Sequence, residues 1–201
     1  MHLNLKNYAT LLVAFLLSYS AFAQSFRWDV KTLTDDSGID WLHKLENARD
    51  NRLATIEGLT TKPNPFYCNF TGTNTRRSDE KRVVRMKVRL IEIKSESNDK
   101  DYHIVIQSLN DNDNLMVAEV PDPSIAEYDD AANAYLREHF IALREEIKTL
   151  FGQRITQSFK AFPPNTIVTL LGVPFYDCNH PSPVRGESKN SREIHPVLDI
   201  D

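Results

Sequence analysis

Apolar and polar residues alternate in three runs between residues 82 and 120, with short polar turns between the runs. This period of two is the signature of half-buried strands. In "EKRVVRMKVRLIEIKSE" Val84, Met86, Val88 and Leu90 share one face, whereas Ile91 and Ile93 fall on the other. A bulge near Leu90-Ile91 would bring both sets to one interior. After the turn "SNDKD", the run "YHIVIQSL" puts Tyr102, Ile104 and Ile106 on one face and His103, Val105 and Gln107 on the other. "NDND" turns the chain again into "NLMVAEV", which completes an antiparallel meander.

The period then lengthens. Leu136, Phe140, Leu143, Ile147 and Leu150 recur at helical spacing, and Gly152 supplies a C-terminal cap. Ser124 and Glu127 form a capping box that predicts the helix start, with a kink through the less regular Tyr128–Ala134 stretch. Beyond "FPPN", a fourth strand reads "TIVTLLGVPFYD" and a fifth "REIHPVLDI", joined by a polar loop from Cys178 to Ser191. Three strands, a helix and two strands are the order of an OB-like fold, a five-stranded antiparallel barrel of the α+β class. The competing arrangement is a helix lying on an open antiparallel sheet. This domain spans residues 79–201. Residues 24–78 read as an N-terminal extension packed on it, with "FRWDVKTLTDD" as a weak strand, helical spacing from Trp41 to Leu53, and prolines in "TTKPNPF" that end the pattern.

The first 23 residues change the picture of where the chain works. Lys6, an apolar run from Ala9 to Leu17 and the small-x-small end Ala21-Phe22-Ala23 predict a cleaved export signal. About 178 residues would remain, enough for one core, with no transmembrane segment. Loss of Lys6 would move the net charge from −4 to −5, which argues mildly against general nucleic-acid binding. Export to the periplasm or the exterior favours a disulfide between Cys68 and Cys178. Its long loop would contribute about 4–5 kcal/mol on the chain-entropy account. Asn69-Phe70-Thr71 matches a glycosylation acceptor.

Candidate chemistry concentrates at the C-terminus. Strand parity places Glu193, His195 and Val197 on one face and Ile194, Pro196, Leu198 and Ile200 on the core face. Asp177 and His180 begin the preceding loop, so two imidazoles and one or two carboxylates converge with ligand types that suit zinc or another divalent metal. No metal-binding spacing such as HExxH is present. The structural alternative is a clip in which Glu193 and His195 bond each other and hold the loop down. The loop also exceeds ordinary turn length, and with "KSESNDKD" it occupies the positions that flank the ligand face in this fold. His103 lies close to that face. Arg85, Lys87 and Arg89 form a basic stripe at period two that suits a phosphate backbone or, equally, a solvated strand face.

The segments "WDVKTLTD", "DYHIVI", "MVAEVPDP" and "GVPFYD…H…G…N…EIHPVLDI" resemble a family of small exported bacterial proteins of uncharacterised function. Its members end in His-Gly, then Gly and Asn within a loop, then Glu-Leu-His-Pro-Val. His180, Gly186, Asn190, Glu193, His195, Pro196 and Val197 match that pattern, and Pro181 replaces the glycine. The resemblance implies that the last loop and strand matter, and it implies no activity.

The sequence thus predicts an exported, non-catalytic OB-like binding protein with no cofactor. Its ligand would be a saccharide, a nucleic-acid strand or a protein, contacted by His103, His180, Asn190, Glu193, His195 and the basic stripe. The alternative is a metal-assisted nuclease or esterase, with His180, His195 and Glu193 on the metal and Glu193 or Asp177 as base. A third reading is a structural envelope protein.

Overall fold

The computed structural model describes residues 27–35, 39–65, 75–178 and 184–201. The expected export signal, Cys68, the Asn69 acceptor motif and His180 lie outside the described residues. Among the described residues there are six strands: β1 (Val84–Ser95), β2 (Tyr102–Ser108), β3 (Leu115–Val120), β4 (Lys160–Ala161), β5 (Ile167–Tyr176) and β6 (Arg192–Ile200). Their pairing closes a five-stranded barrel in the ring order β1-β2-β3-β6-β5-β1, with the two-residue β4 attached to β1. The seam between β3 and β6 is parallel, at Ala118↔Ile194, so the barrel is mixed rather than wholly antiparallel. A parallel pair needs a long crossover, and the segment carrying the helix supplies it.

β1 closes the ring because it serves two neighbours. Val84–Arg89 pair with β5, Val88–Ser95 pair with β2, and the register shifts between Leu90 and Glu92. The predicted bulge is there, but it returns only Ile93 to the core; Ile91, the extra residue, stays half-buried. The core runs through Met86, Leu90, Ile104, Ile106, Met116, Leu170 and Ile194. A second register irregularity between β5 and β6, around Gly172, turns Val197 inward beside Leu198, against the parity expected of an unbroken strand.

The helices are α1 (Trp28–Thr32), α2 (Trp41–Ala48), α3 (Ile56–Leu59) and α4 (Ala134–Phe151). Leu136, Phe140, Leu143, Ile147 and Phe151 of α4 are buried, each worth roughly 1.5–3 kcal/mol of transfer free energy. Gly152 caps α4 at φ 70°, its N–H donating to the Lys148 carbonyl. The start differs from expectation. Ser124 donates to Asp122 instead of capping, Ala126–Asp129 form a 3-10 turn, and α4 begins later at Ala134. Ser and Asp side chains favour such local turns over helix caps when the pattern behind them is irregular.

The N-terminal segment is helical where a strand was expected. Trp28–Thr32 form one turn whose buried Val30 and Thr32 face the barrel. Ion pairs fix it: Arg27 donates to both oxygens of Glu80 at 2.6 and 2.5 Å, and Arg76 pairs with Asp35 at 2.7 Å. Tyr128 Oη donates to the Thr32 carbonyl at 2.9 Å. The helical spacing after Trp41 resolves into α2 and α3, each opened by a side-chain cap: Asp40 accepts from His43 N–H, and Thr55 from Gly58 N–H.

Gly172 permits the closest strand approach. A Cβ there would lie 2.3 Å from Ile194 Cγ2 and 2.7 Å from the Pro196 carbonyl oxygen. Gly172→Ala is therefore expected to lower unfolding free energy by about 1–3 kcal/mol in urea titrations. An unchanged midpoint would contradict this β5–β6 packing.

Candidate functional site

The hairpin centred on "NDND" puts His103 of β2 directly opposite Glu119 of β3. Across the parallel seam, Glu119 faces the stretch of β6 that carries Glu193 and His195, and Glu193 in turn pairs with Phe175 of β5. All these side chains point outward from the barrel, because their neighbours Ile104, Ala118 and Ile194 fill its interior. One row of ionisable groups thus crosses three strands on the outer face, β2, β3 and β6.

That outer face is buried. α1 and the β5–β6 loop cover it, leaving His195 with no exposed surface and Asp101 with 1%. Glu119 is shared between two imidazoles. Its Oε1 lies 2.9 Å from His103 Nδ1, and its Oε2 lies 2.9 Å from His195 Nδ1. His195 Nδ1 is also 3.2 Å from Glu193 Oε1. On the other side of the ring, His195 Nε2 approaches Asp101 Oδ2 at 3.4 Å as an ion pair; neither atom has a hydrogen-bond partner. Lys31, from α1, reaches Glu193 at 3.6 Å, Asp177 at 3.7 Å and Glu119 at 4.0 Å.

Burial and pairing compete at each group. Burial would push His195 down, but contacts with Asp101, Glu119 and Glu193 outweigh it and hold the imidazole well above its usual range. Burial likewise opposes the charge on Lys31, and Asp177, Glu193 and Glu119 overcome it. Burial would raise Glu119, yet its two imidazole partners and Lys31 hold it well below the usual carboxylate range. At Asp101 burial wins over the pull of His195, and the carboxyl rises to about 6. Glu193 is also raised, by burial, with Lys31 opposing.

The β5–β6 loop folds down over β2. Arg185 pairs with both oxygens of Glu92 on β1, one contact measuring 2.6 Å, and its carbonyl meets His103 Nε2 at 3.3 Å. Gly186, at φ 83°, lies so close that a Cβ would be 2.6 Å from Val105 Cγ2. Asn190 is a turn residue: its amide donates to the Lys62 carbonyl at 2.7 Å and its oxygen accepts from Ser188 and the Arg192 amide. Arg192 pairs with Asp79 at 3.0 Å and donates to Tyr176 Oη at 2.8 Å.

Between this loop and the β1–β2 loop opens a cleft of about 200 Å³. Glu96, Asp99, Glu119, Asp177, Glu187 and Glu193 line it, against the cations Lys31, His103 and Arg192. Among the sequence candidates, His103, Glu193 and Asp177 line the cleft, whereas His195 lies behind it and Asn190 supports its loop. Arg85, Lys87 and Arg89 lie on the other half of β1 and line no part of it. Arg89 donates to Gln107 at 2.7 Å, and Lys87 borders a second cleft beside Leu53 and Leu109. Cys178 is buried just beyond β5. Sequence reasoning missed Lys31, Asp101 and Glu119. The signal for Glu119 was the hairpin centre, which sets its register against His103.

Folding raises His195 and Asp101 together, so both favour the folded state when protonated. The His195 contribution is complete below about pH 6.5 and declines as pH rises towards its raised folded value. The Asp101 contribution is complete below about pH 3.8 and lost as pH rises through about 6. Between about pH 7 and pH 9 the thermal midpoint is expected to fall, and His195→Gln is expected to lower it and flatten that slope. Equal slopes in the two proteins would contradict the assignment. No family model matches this chain, and no curated protein or solved structure was found to be similar to it.

Proposed function

We propose that this is an exported binding protein that acts without catalysis, and that its cleft takes a cationic side chain, Lys or Arg, presented by a partner protein. The observation that carries this reading is a pair of carboxylates on opposing loops. Asp99, on the β1–β2 loop, and Glu187, on the β5–β6 loop, both line the cleft, and neither has an ion-pair partner among the described residues. Among the described residues, Asp99 accepts only from the nearby Asp101 amide, and Glu187 only from Val184 N–H and Ser191 Oγ.

The ligand classes left open by the sequence separate on physical grounds. A nucleic-acid strand would bring phosphates against six carboxylates, which repel them. A saccharide usually packs on aromatic rings, and among the described residues no Phe, Tyr or Trp lines this cleft. A basic protein segment suits the charge. The signal-like pattern of residues 1–23 supports a periplasmic or extracellular setting, where a Cys68–Cys178 disulfide would anchor the end of β5.

A second reading, metal-assisted hydrolysis, is favoured by the two imidazoles that share Glu119. It would show as turnover of phosphodiesters or esters that depends on added divalent metal.

The test is fluorescence anisotropy with a labelled Lys/Arg-rich peptide, an acidic peptide, oligothymidylate and an oligosaccharide. The basic peptide is expected to bind, more weakly as salt rises. Asp99→Asn with Glu187→Gln is expected to cost about three- to tenfold in affinity, the scale of two partly screened charges. Binding of the oligonucleotide or saccharide instead, or indifference to the double substitution, would overturn the proposal.

A further inference from the structure

We propose that Glu96, His103 and Glu119 form a site for a first-row divalent metal in the wall of the cleft, distinct from the C-terminal His/Glu set to which the sequence pointed. The donor atoms of these three side chains all lie within 4.8 Å of one another.

The His103 ring fixes the geometry of the site. Its Nε2 meets the Arg185 carbonyl oxygen at 3.3 Å. A carbonyl can only accept, so Nε2 carries the hydrogen. Nδ1, the nitrogen left to take a metal, faces Glu119 Oε1 at 2.9 Å and Glu96 Oε1 at 3.4 Å. A divalent metal where these three atoms converge would replace the proton that His103 otherwise shares with the two carboxylates. Metal-bound histidines divide their nitrogens in this way, one to the metal and the other N–H to a carbonyl that fixes the ring. Phe159 adds orientation, its ring edge-on to His103 with centroids 5.4 Å apart.

The surroundings supply the remaining requirements. Glu119 is held through its second oxygen by His195 Nδ1 at 2.9 Å, so one ligand is braced from behind. Glu96 is the more exposed jaw: its side chain is 29% exposed and its Oε1 is held by Lys94 at 2.6 Å. Metal bonds of about 2.0–2.2 Å require Glu96 to close inward and leave Lys94. The cleft gives an entry path and space for water to complete the coordination. One imidazole and two carboxylates, with no thiolate, suit zinc or manganese better than calcium, which prefers an all-oxygen shell. The site does not use Asp99 or Glu187, so it can fail while peptide binding stands, and the reverse.

The experiment is calorimetric titration of EDTA-stripped protein with zinc or manganese, together with imidazole NMR. One metal per chain is expected to bind, with the His103 ring signals shifting most. Glu96→Gln, on the half-exposed loop side, keeps the fold and is expected to weaken binding by about tenfold or more. His103→Gln is expected to do at least as much, with the fold checked by circular dichroism. Absence of saturable binding would overturn the proposal. So would stoichiometric binding that both substitutions leave unchanged, because the metal would then sit elsewhere.

Discussion

Glu119 holds an imidazole on each of its oxygens, and the outer face of the barrel is organised around that carboxylate. Its position on β3 makes it the junction between the antiparallel meander and the parallel seam with β6. His103 reaches it from β2 and His195 from β6, each at 2.9 Å. A charge buried this deeply is tolerable only when paired on all sides. Much of the outer architecture follows from that demand, from the Lys31 ammonium above the row to the loop that closes over β2.

The N-terminal segment meets the same constraint. α1 is a single turn and too short to be stable by itself. Its place is fixed by Arg27 on Glu80, Arg76 on Asp35 and Lys31 over the carboxylate row. The bidentate Arg27–Glu80 pair also meets the end of β5, where Glu80 Oε1 accepts from the Tyr176 amide at 3.0 Å. The extension therefore completes the electrostatic balance of the barrel as well as covering it. The clip formed by Glu193 and His195 exists, but it is one edge of a larger network. The open acidic cleft lies where that network meets solvent.

Much of the barrel was legible because its strands are amphipathic. Period two marked β2 and both faces of β1, and the parity change at Leu90-Ile91 located the bulge. Parity misled at the other irregularity: the shift around Gly172 turned Val197 inward, and the strand glycine and the facing Pro196 are the only local signs of it. The Ser124 box failed because Asp122, two residues earlier, offered a nearer acceptor. The site was half legible. His103, Glu193 and His195 stood out as polar residues on apolar strands, and the turn "NDND" contained the register that finds Glu119. Lys31 and Asp101 were hidden, since only the parallel seam and the docking of α1 bring them to the row.

Direct observation of the His195 ring tests this account best. Both of its nitrogens face carboxylates, Glu119 and Glu193 on one side and Asp101 on the other. In EDTA-containing buffer at neutral pH, nitrogen-15 NMR is expected to show both ring nitrogens protonated, with the imidazolium persisting well above the usual histidine range. A neutral ring at pH 7, with one nitrogen bare, would mean that the carboxylate row is not charged as described, and the account of this face would fall.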